Sequence, residues 1–265
     1  MKKTIFLLSL AFGLTAMFNL QAQTVSETFT LSDPAWVVPA DVYQIYVEAW
    51  GGGGAGGGTT AAGVASANAG AGGGGGGFAA GLISVTPGQS LDIVVAQQVL
   101  GVNGAAGPDG EDSYIVGYEG DVLAYGGAGG AVNDGIGGAG GAGVGAINET
   151  GVDGGDGDEG IAVSSGTGGD GANGGGAGGA ALTGIGTEGP GNPGDAIGGG
   201  GGGARTSWAD DNDPQTGGAG AAGQIILTYT PEPGGPLAVP ISNWALLIGI
   251  GLIATFMVVR FRNIA

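Results

Sequence analysis

The sequence predicts an all-β fold: a β-sandwich scaffold with packed glycine-rich segments of polyproline II type, followed by one C-terminal transmembrane helix. Three observations lead to this prediction. Glycine supplies 68 of the 265 residues and is nearly absent before Gly51. The glycine tracts alternate with short runs of alternating apolar and polar residues, which have the period of a half-buried strand. Between the two chain ends, no stretch has the apolar period of a helix.

The first 22 residues are predicted to be a secretory signal peptide. Lys2 and Lys3 precede an apolar run that extends to Phe18. A basic start, a short apolar region and a small residue at the end, here Ala22, are typical of export signals. We expect cleavage after Ala22, which leaves residues 23–230 as the glycine-rich β domain. The alternative is an uncleaved anchor, although the apolar run is short for a membrane span.

Eight segments of the β domain are predicted to be extended. In residues 42–50, Ile45, Val47 and Ala49 fall on one face of an alternating strand. Pro87 and Gly88 occupy the second and third positions of a link that suits a type II turn, so the runs on either side predict a hairpin. The predicted strands are residues 28–31, 36–39, 42–50, 78–85, 90–96, 113–116, 122–125 and 224–230.

The glycine tracts predict close packing of main chains. A glycine loses more conformational freedom on ordering than other residues and buries no side chain. Extended segments of polyproline II type without Cβ atoms can lie side by side and exchange N–H···O=C bonds, which offsets that loss. Collagen is excluded, because three Gly-X-Y triplets from Gly104 end at Ser113 and a strict period of three does not recur at length.

An acidic glycine-rich stretch gives the best candidate metal site. Its acids are Asp153, Asp156, Asp158 and Glu159. Clustered carboxylates in a glycine-rich turn suit Ca²⁺, and the spacing approaches one calcium-binding nonapeptide unit, with Glu159 at an Asp position. The alternative is a solvated acidic loop.

Residues 210–213 show the same ambiguity. This run contains three aspartates and one asparagine. Its acids either contribute to a cation site or pair with nearby Arg205.

The C-terminal end predicts a membrane anchor. Residues 231–240 form a Pro/Gly linker that ends in a sorting motif, residues 241–259 are long enough at about 28 Å to span a bilayer, and residues 260–265 form a basic cytoplasmic tail. The positive-inside rule places the glycine-rich domain outside the cytoplasm. This end resembles the PEP-type sorting signals that exosortases process, through Pro240, Ser242, Asn243, Trp244, Arg260 and Arg262. The resemblance implies that an exosortase-like enzyme removes the helix; otherwise the protein keeps a single membrane span.

The middle of the chain resembles the glycine-rich domain of bacterial surface proteins and phage receptor-binding adhesins, and more distantly the glycine-rich region of anaplastic lymphoma kinase. The resemblance covers residues 24–230 and implies a sandwich with projecting glycine-rich segments that acts in recognition or surface structure. One departure from the family pattern follows residues 93–95: the family tends to continue with glycines there, whereas this chain has AQQVL at 96–100. The matching segments are WVVPA at 36–40, IYVEAWGGGG at 45–54, GGGFAAG at 75–81, VTPGQSL at 85–91, GEDSY at 110–114, AYGGAGG at 124–130 and GQIILTY at 223–229.

Composition excludes most catalytic chemistry. The chain contains no His and no Cys, so it has no Ser-His-Asp or Cys-His triad and no thiolate or imidazole zinc site. No Lys follows Lys3, so the glycine tracts are not phosphate-binding loops. The formal net charge of −18 disfavours nucleic acid as a partner.

We therefore expect an exported, membrane-anchored bacterial surface protein that is not an enzyme. The predicted role is an adhesin or an extracellular-matrix binding module whose partners are a glycan or a cell-surface receptor, the membrane and the sorting enzyme. No cofactor is predicted apart from calcium. The two alternatives are a calcium-dependent structural module and a carboxylate-based glycoside hydrolase, whose two acids would need separations of about 5 to 9.5 Å.

Overall fold

The computed structural model describes residues 23–63, 66–118, 122–158, 164–208 and 212–232. These residues contain strands and no helix, which confirms the all-β prediction, and none of them forms a helix that could cross a membrane. The predicted signal peptide and transmembrane helix lie outside the described residues. The strands are β1 (Val25–Phe29), β2 (Asp33–Val37), β3 (Gln44–Trp50), β4 (Ala67–Ala69), β5 (Phe78–Ser84), β6 (Ser90–Val94), β7 (Ser113–Val116), β8 (Leu123–Ala124), β9 (Gly143–Val144), β10 (Ile147–Glu149), β11 (Arg205–Ser207) and β12 (Gln224–Tyr229).

Two five-stranded antiparallel sheets share one hydrophobic core. The first sheet has the order β1-β12-β3-β5-β10, and the second has the order β2-β6-β7-β8-β9. Ile45, Val47 and Ala49 are fully buried, as their alternation in the sequence predicts, and they join Leu91 and Ile93 of the second sheet in the same cluster. The sheets therefore pack on each other through their apolar faces.

The predicted hairpin between residues 78–85 and 90–96 is wrong, although its turn is correct. Gly88 has φ +80° and the Gln89 amide donates to Thr86 O at 2.9 Å, as a type II turn requires. The strands on either side belong to different sheets: β5 pairs with β3 and β10, whereas β6 pairs with β2 and β7. Because both edges of β5 are already paired, the turn carries the chain from one sheet to the other.

Glycine-rich segments continue from the strand ends and bond to one another with a period of three residues. Successive amides of residues 51–59 donate to three different neighbouring segments, and the cycle then repeats. A polyproline II helix has three residues per turn and no internal hydrogen bonds, so this period is the one expected when such helices pack side by side. Positions 51, 54 and 57 donate to 77, 74 and 71; positions 52, 55 and 58 donate to 111, 108 and 105; positions 53, 56 and 59 donate to 221, 218 and 215.

The segment of residues 70–77 is surrounded on all sides by such neighbours. Each of its amides donates to another segment and each of its carbonyls accepts from another segment, at 2.7–3.0 Å. This satisfies every main-chain polar group of a buried stretch that has almost no side chains. Its neighbours are residues 51–57, 125–131, 138–141, 152–155, 166–172 and 198–204.

We call these packed segments the glycine lattice: residues 51–59, 70–77, 96–111, 125–142, 151–158, 164–182, 189–204 and 215–223. Its spacing requires glycine, because a Cβ on Gly74 would lie 2.1 Å from the carbonyl oxygen of Ala139. Residues 96–100, which replace glycines of the expected pattern, lie against one side of the lattice: Gly223 donates to Ala96 O and Gly220 to Val99 O, each at 3.0 Å. Leu100 is 69 % exposed, so its side chain needs no space inside the lattice.

The lattice lies at one end of the sheets, and both ends of the described chain lie at the other. Trp50, Gln224 and Phe78 are paired side by side where the strands enter the lattice. Val25 pairs with Tyr229 at the opposite end of β1 and β12. The lattice segments are joined by loops at the end away from the sheets. We call these loops and the lattice residues next to them the tip: residues 59–63, 66–69, 102–105, 132–135, 183–188, 205–208 and 212–214.

Candidate functional site

Asparagine side chains tie the loops of the tip together. The Thr60 amide donates to Asn133 Oδ1 at 2.9 Å. The Ala62 amide donates to Asn212 Oδ1 at 2.6 Å, and Asn212 Nδ2 donates back to Ala62 O at 2.9 Å. Asn133 and Asn212 have φ values of 56° and 59°, a left-handed conformation that asparagine tolerates better than most residues. These bonds order loops that are far apart in the sequence.

Glu188 acts as a second tie within the tip. Its carboxylate accepts hydrogen bonds from the Ser207 amide at 3.1 Å, from the Asp213 amide at 3.2 Å and from Gln215 Nε2 at 3.1 Å. A carboxylate held by several donors fixes the backbone around it. Glu188 therefore joins the loop before residue 189 to β11 and to the segment that returns to the sheets.

Three large apolar side chains of the tip face solvent. Trp208 is 47 % exposed, Ile185 80 % and Val102 44 %. Trp208 follows β11 directly, and its amide donates to Ser66 O at 3.2 Å. An indole ring on an ordered backbone is the kind of group that contributes most to protein recognition sites. The tip can thus present an aromatic contact surface without a large cost of ordering.

Arg205 is completely buried beneath this surface. Its Nη1 donates to the carbonyl oxygen of Gly184, whereas Nε and Nη2 have no hydrogen-bond partner among the described residues. Burial lowers the pKa of the Arg205 guanidinium below its ordinary value. The predicted pairing with the acids at 210–213 is not formed with Asp213, whose described bonds involve its backbone, and Asp210 and Asp211 lie outside the described residues.

Two of the residues predicted to bind calcium accept hydrogen bonds from amides of the lattice. Asp153 Oδ1 accepts the Gly140 amide and Asp156 Oδ1 accepts the Gly137 amide, both at 2.8 Å. Asp158 Oδ2 accepts a hydrogen bond from Ser164 Oγ at 2.9 Å, and Glu159 lies outside the described residues. Within the described ranges, no group of three or more acids is placed to hold a metal ion.

Other aspartates also accept hydrogen bonds from lattice amides, a role that was not predicted from the sequence. Asp109 accepts the Gly129 amide at 2.8 Å, Asp112 accepts the Gly126 amide at 2.9 Å, and Asp170 accepts the Gly178 amide at 2.8 Å. The signal was present in the sequence, because Asp109 and Asp112, like Asp153 and Asp156, are three residues apart. That spacing puts both carboxylates on the same side of a threefold helix. Each carboxylate replaces a carbonyl acceptor at the margin of the lattice.

The residues of the predicted sorting signal, Pro240, Ser242, Asn243, Trp244, Arg260 and Arg262, lie outside the described residues. They therefore stay a prediction from the sequence.

Comparison with known protein families identifies residues 24–230 as a glycine-rich domain. No curated protein matches the chain significantly. The family match covers both sheets and the whole described lattice, so the two parts form one unit of the family. The chain therefore belongs to the glycine-rich domain family.

Proposed function

We propose that the protein is exported and anchored in a membrane, and that it acts as an adhesin or matrix-binding module at the cell surface. The observation that carries this proposal is the position of the chain ends. Val25 and Tyr229 are paired at the end of the sheets that is farthest from the tip. A membrane anchor that follows residue 232 would leave the tip as the outermost part of the molecule.

The anchor in this proposal is the apolar run of residues 241–259, followed by Arg260 and Arg262. As a helix, this run would be about 28 Å long, which would match the hydrocarbon thickness of a bilayer, and the basic tail favours a cytoplasmic C-terminus. The motif around Trp244 makes an exosortase-like enzyme the proposed processing partner. In this arrangement a β-sandwich stands near the membrane and polyproline II segments extend from it.

The binding surface in this proposal is the tip, with Trp208 as its aromatic contact residue. Trp208 is an exposed aromatic residue on loops that Asn133, Asn212 and Glu188 hold in place. Rigid aromatic anchors lose little conformational entropy when a partner binds. The formal charge of −18 disfavours nucleic acid, and the partner class is a glycan or a cell-surface receptor.

A whole-cell binding assay with the full-length protein in detergent tests the adhesin role. We expect saturable binding that weakens at least about tenfold in Trp208→Ala, because interface tryptophans often contribute that much. The control is Val116→Ala. Val116 is 49 % exposed and lies at the end of β7 that is farther from the lattice, so this variant should bind as the wild type does. Absence of saturable binding, or full binding by Trp208→Ala, contradicts a role for the tip.

The intact mass of the protein recovered from cells tests export and anchoring separately. We expect the loss of residues 1–22, and loss of the chain after the sorting motif if the exosortase-like step takes place. A mature chain that keeps residues 241–259 fits a permanent membrane span and contradicts only the processing step. An intact N-terminus in a cytosolic fraction overturns the proposed location.

A further inference from the structure

A cavity of about 480 Å³ lies on the outer face of the first sheet, at the end away from the lattice. It lies within the size range of ligand pockets, about 300–1,000 Å³. We call it the sheet cavity. The side chains that matter for its chemistry are Tyr43, Gln44, Tyr46, Leu82, Ser84 and Glu232.

Strand register brings these side chains together. On β3 and β5, Tyr46 is paired with Leu82 and Gln44 is paired with Ser84. Residues two apart on a strand point to the same face, so all four side chains stand on the face opposite the core. Thr228 on β12 is paired with Tyr46 from the other side and continues the same row.

The hydrogen-bonding groups of the cavity are available to a ligand. The side chains of Tyr43, Gln44, Tyr46, Ser84 and Glu232 have no intramolecular hydrogen bond within the described part of the chain. The lattice differs in this respect, since its aspartates accept bonds from main-chain amides. The cavity therefore combines free hydroxyl, amide and carboxylate groups with apolar surface from Leu82, which is 61 % exposed, and from two tyrosine rings.

Charge decides which class of ligand fits. Arg205 is the one Lys or Arg in the described ranges, and it is buried near the tip. The cavity thus offers a carboxylate and no cation, which disfavours phosphate, sulfate and acidic sugars. A neutral sugar ring has an apolar face that suits a tyrosine ring and hydroxyl groups that suit Gln44, Ser84 and Glu232.

We propose that the sheet cavity binds a neutral saccharide. Tyr43, 38 % exposed at the rim, provides the stacking surface, and Gln44 and Glu232 bond to the sugar hydroxyls. This site is distinct from the tip and does not depend on the proposed adhesin role.

Calorimetric titration of the full-length protein tests the proposal. The detergent must lack a sugar headgroup, so octaethylene glycol monododecyl ether is suitable. The probes are cellohexaose, maltohexaose and N-acetylchitohexaose, with hexagalacturonate as an anionic comparison. We expect saturable binding of at least one neutral hexasaccharide and none of hexagalacturonate.

Two variants and two controls assign the binding to the sheet cavity. Tyr43→Ala and Gln44→Ala should each weaken it at least tenfold without a change in thermal midpoint. Tyr125→Ala removes a tyrosine that is equally exposed, at 41 %, outside the cavity and should bind as the wild type does. Trp208→Ala should also bind normally, which separates this site from the tip. Failure of all three neutral probes to bind, or unchanged binding in both cavity variants, overturns the proposal.

Discussion

Tyr229 donates its hydroxyl hydrogen to Glu27, a residue 202 positions earlier in the chain. The same carboxylate accepts a hydrogen bond from Trp36 Nε1 at 3.0 Å, and the rings of Trp36 and Tyr229 lie 6.1 Å apart between centroids. One carboxylate thus joins β1, β2 and β12 near the chain ends. Because β2 belongs to the second sheet, this contact also holds the two sheets together at the end of the sheets that is opposite to the lattice.

We predict a loss of stability at alkaline pH that depends on Tyr229. Burial, reinforced by the hydrogen bond and the charge of Glu27, raises the pKa of Tyr229 to about 12 from its ordinary value of 10.0. The unfolded chain loses this proton near pH 10 while the folded chain retains it. The stabilising contribution is therefore complete below about pH 10 and is lost as the pH rises through about 12.

Urea unfolding between about pH 9 and pH 12 checks this prediction. The free energy of unfolding of the wild type should fall across this interval, and that of Tyr229→Phe should fall less. Equal pH dependence in the two proteins would show that other groups are responsible.

A single methyl group inside the lattice should be severely destabilising. In Gly74→Ala the new Cβ would lie 2.1 Å from Ala139 O. The backbone of residue 74 and that of residues 138–139 must therefore move apart. We expect a loss of at least about 4 kcal/mol in the free energy of unfolding, the range of exceptional core disruptions. Gly63→Ala is the matched control: among the described residues its Cβ meets Ser66 Oγ alone, at 3.2 Å, so it should change stability by about 0.5 kcal/mol or less. Similar losses in both variants would contradict the tight packing of the lattice.

The aspartates at the lattice margin should act as hydrogen-bond acceptors rather than as charges. Asp156→Ala removes the acceptor of the Gly137 amide and should lower the free energy of unfolding by about 1 kcal/mol. Asp156→Asn keeps an oxygen in place and should recover most of that loss.

We also expect no rise in thermal midpoint on addition of calcium to the wild type. A calcium-dependent rise that Asp156→Asn abolishes would instead support the cation site predicted from the sequence.

Amide exchange should show the lattice to be as ordered as the sheets. All amides of residues 70–77 donate to neighbouring segments, so each requires opening of the lattice before it exchanges. We expect protection of about 10³-fold or more over the unfolded chain, measured by mass spectrometry after deuterium labelling. Exchange at the rate of an unfolded peptide would mean that the glycine tracts are flexible spacers.

The sequence pattern predicted β3, β5, β6, β7 and β12, whereas the segments predicted at 28–31 and 36–39 overlap β1 and β2 by only two residues each. The short strands at the margins could not be predicted from alternation. Ile45, Val47 and Ala49 are buried as their spacing indicates. By contrast, β4, β9 and β11 have only two or three residues each, too few to show a period of two. β10 is exposed throughout, so burial leaves no apolar pattern in its sequence.

The candidate sites depended on contacts between distant residues. The Asp-rich stretch at 153–158 was recognisable, but its role depends on the Gly137 and Gly140 amides, which lie on another segment. Likewise the sheet cavity depends on the pairing of β3 with β5 on one side and with β12 on the other, and β12 is more than 170 residues away in the sequence. Local sequence gives the turn around Gly88 but not the pairing partners of the strands on either side.

The threefold repeat of partners restricts how such a chain can change in length during evolution. Deleting one residue from the segment at 70–77 would rotate the remainder by a third of a turn and direct every later amide to the wrong neighbour. Only changes of three residues, made together in adjoining segments, would lengthen or shorten the domain and keep its bonding intact. Insertions at the tip do not shift the bonding pattern, so sequence variation among relatives should concentrate there while the spacing of the lattice segments stays fixed.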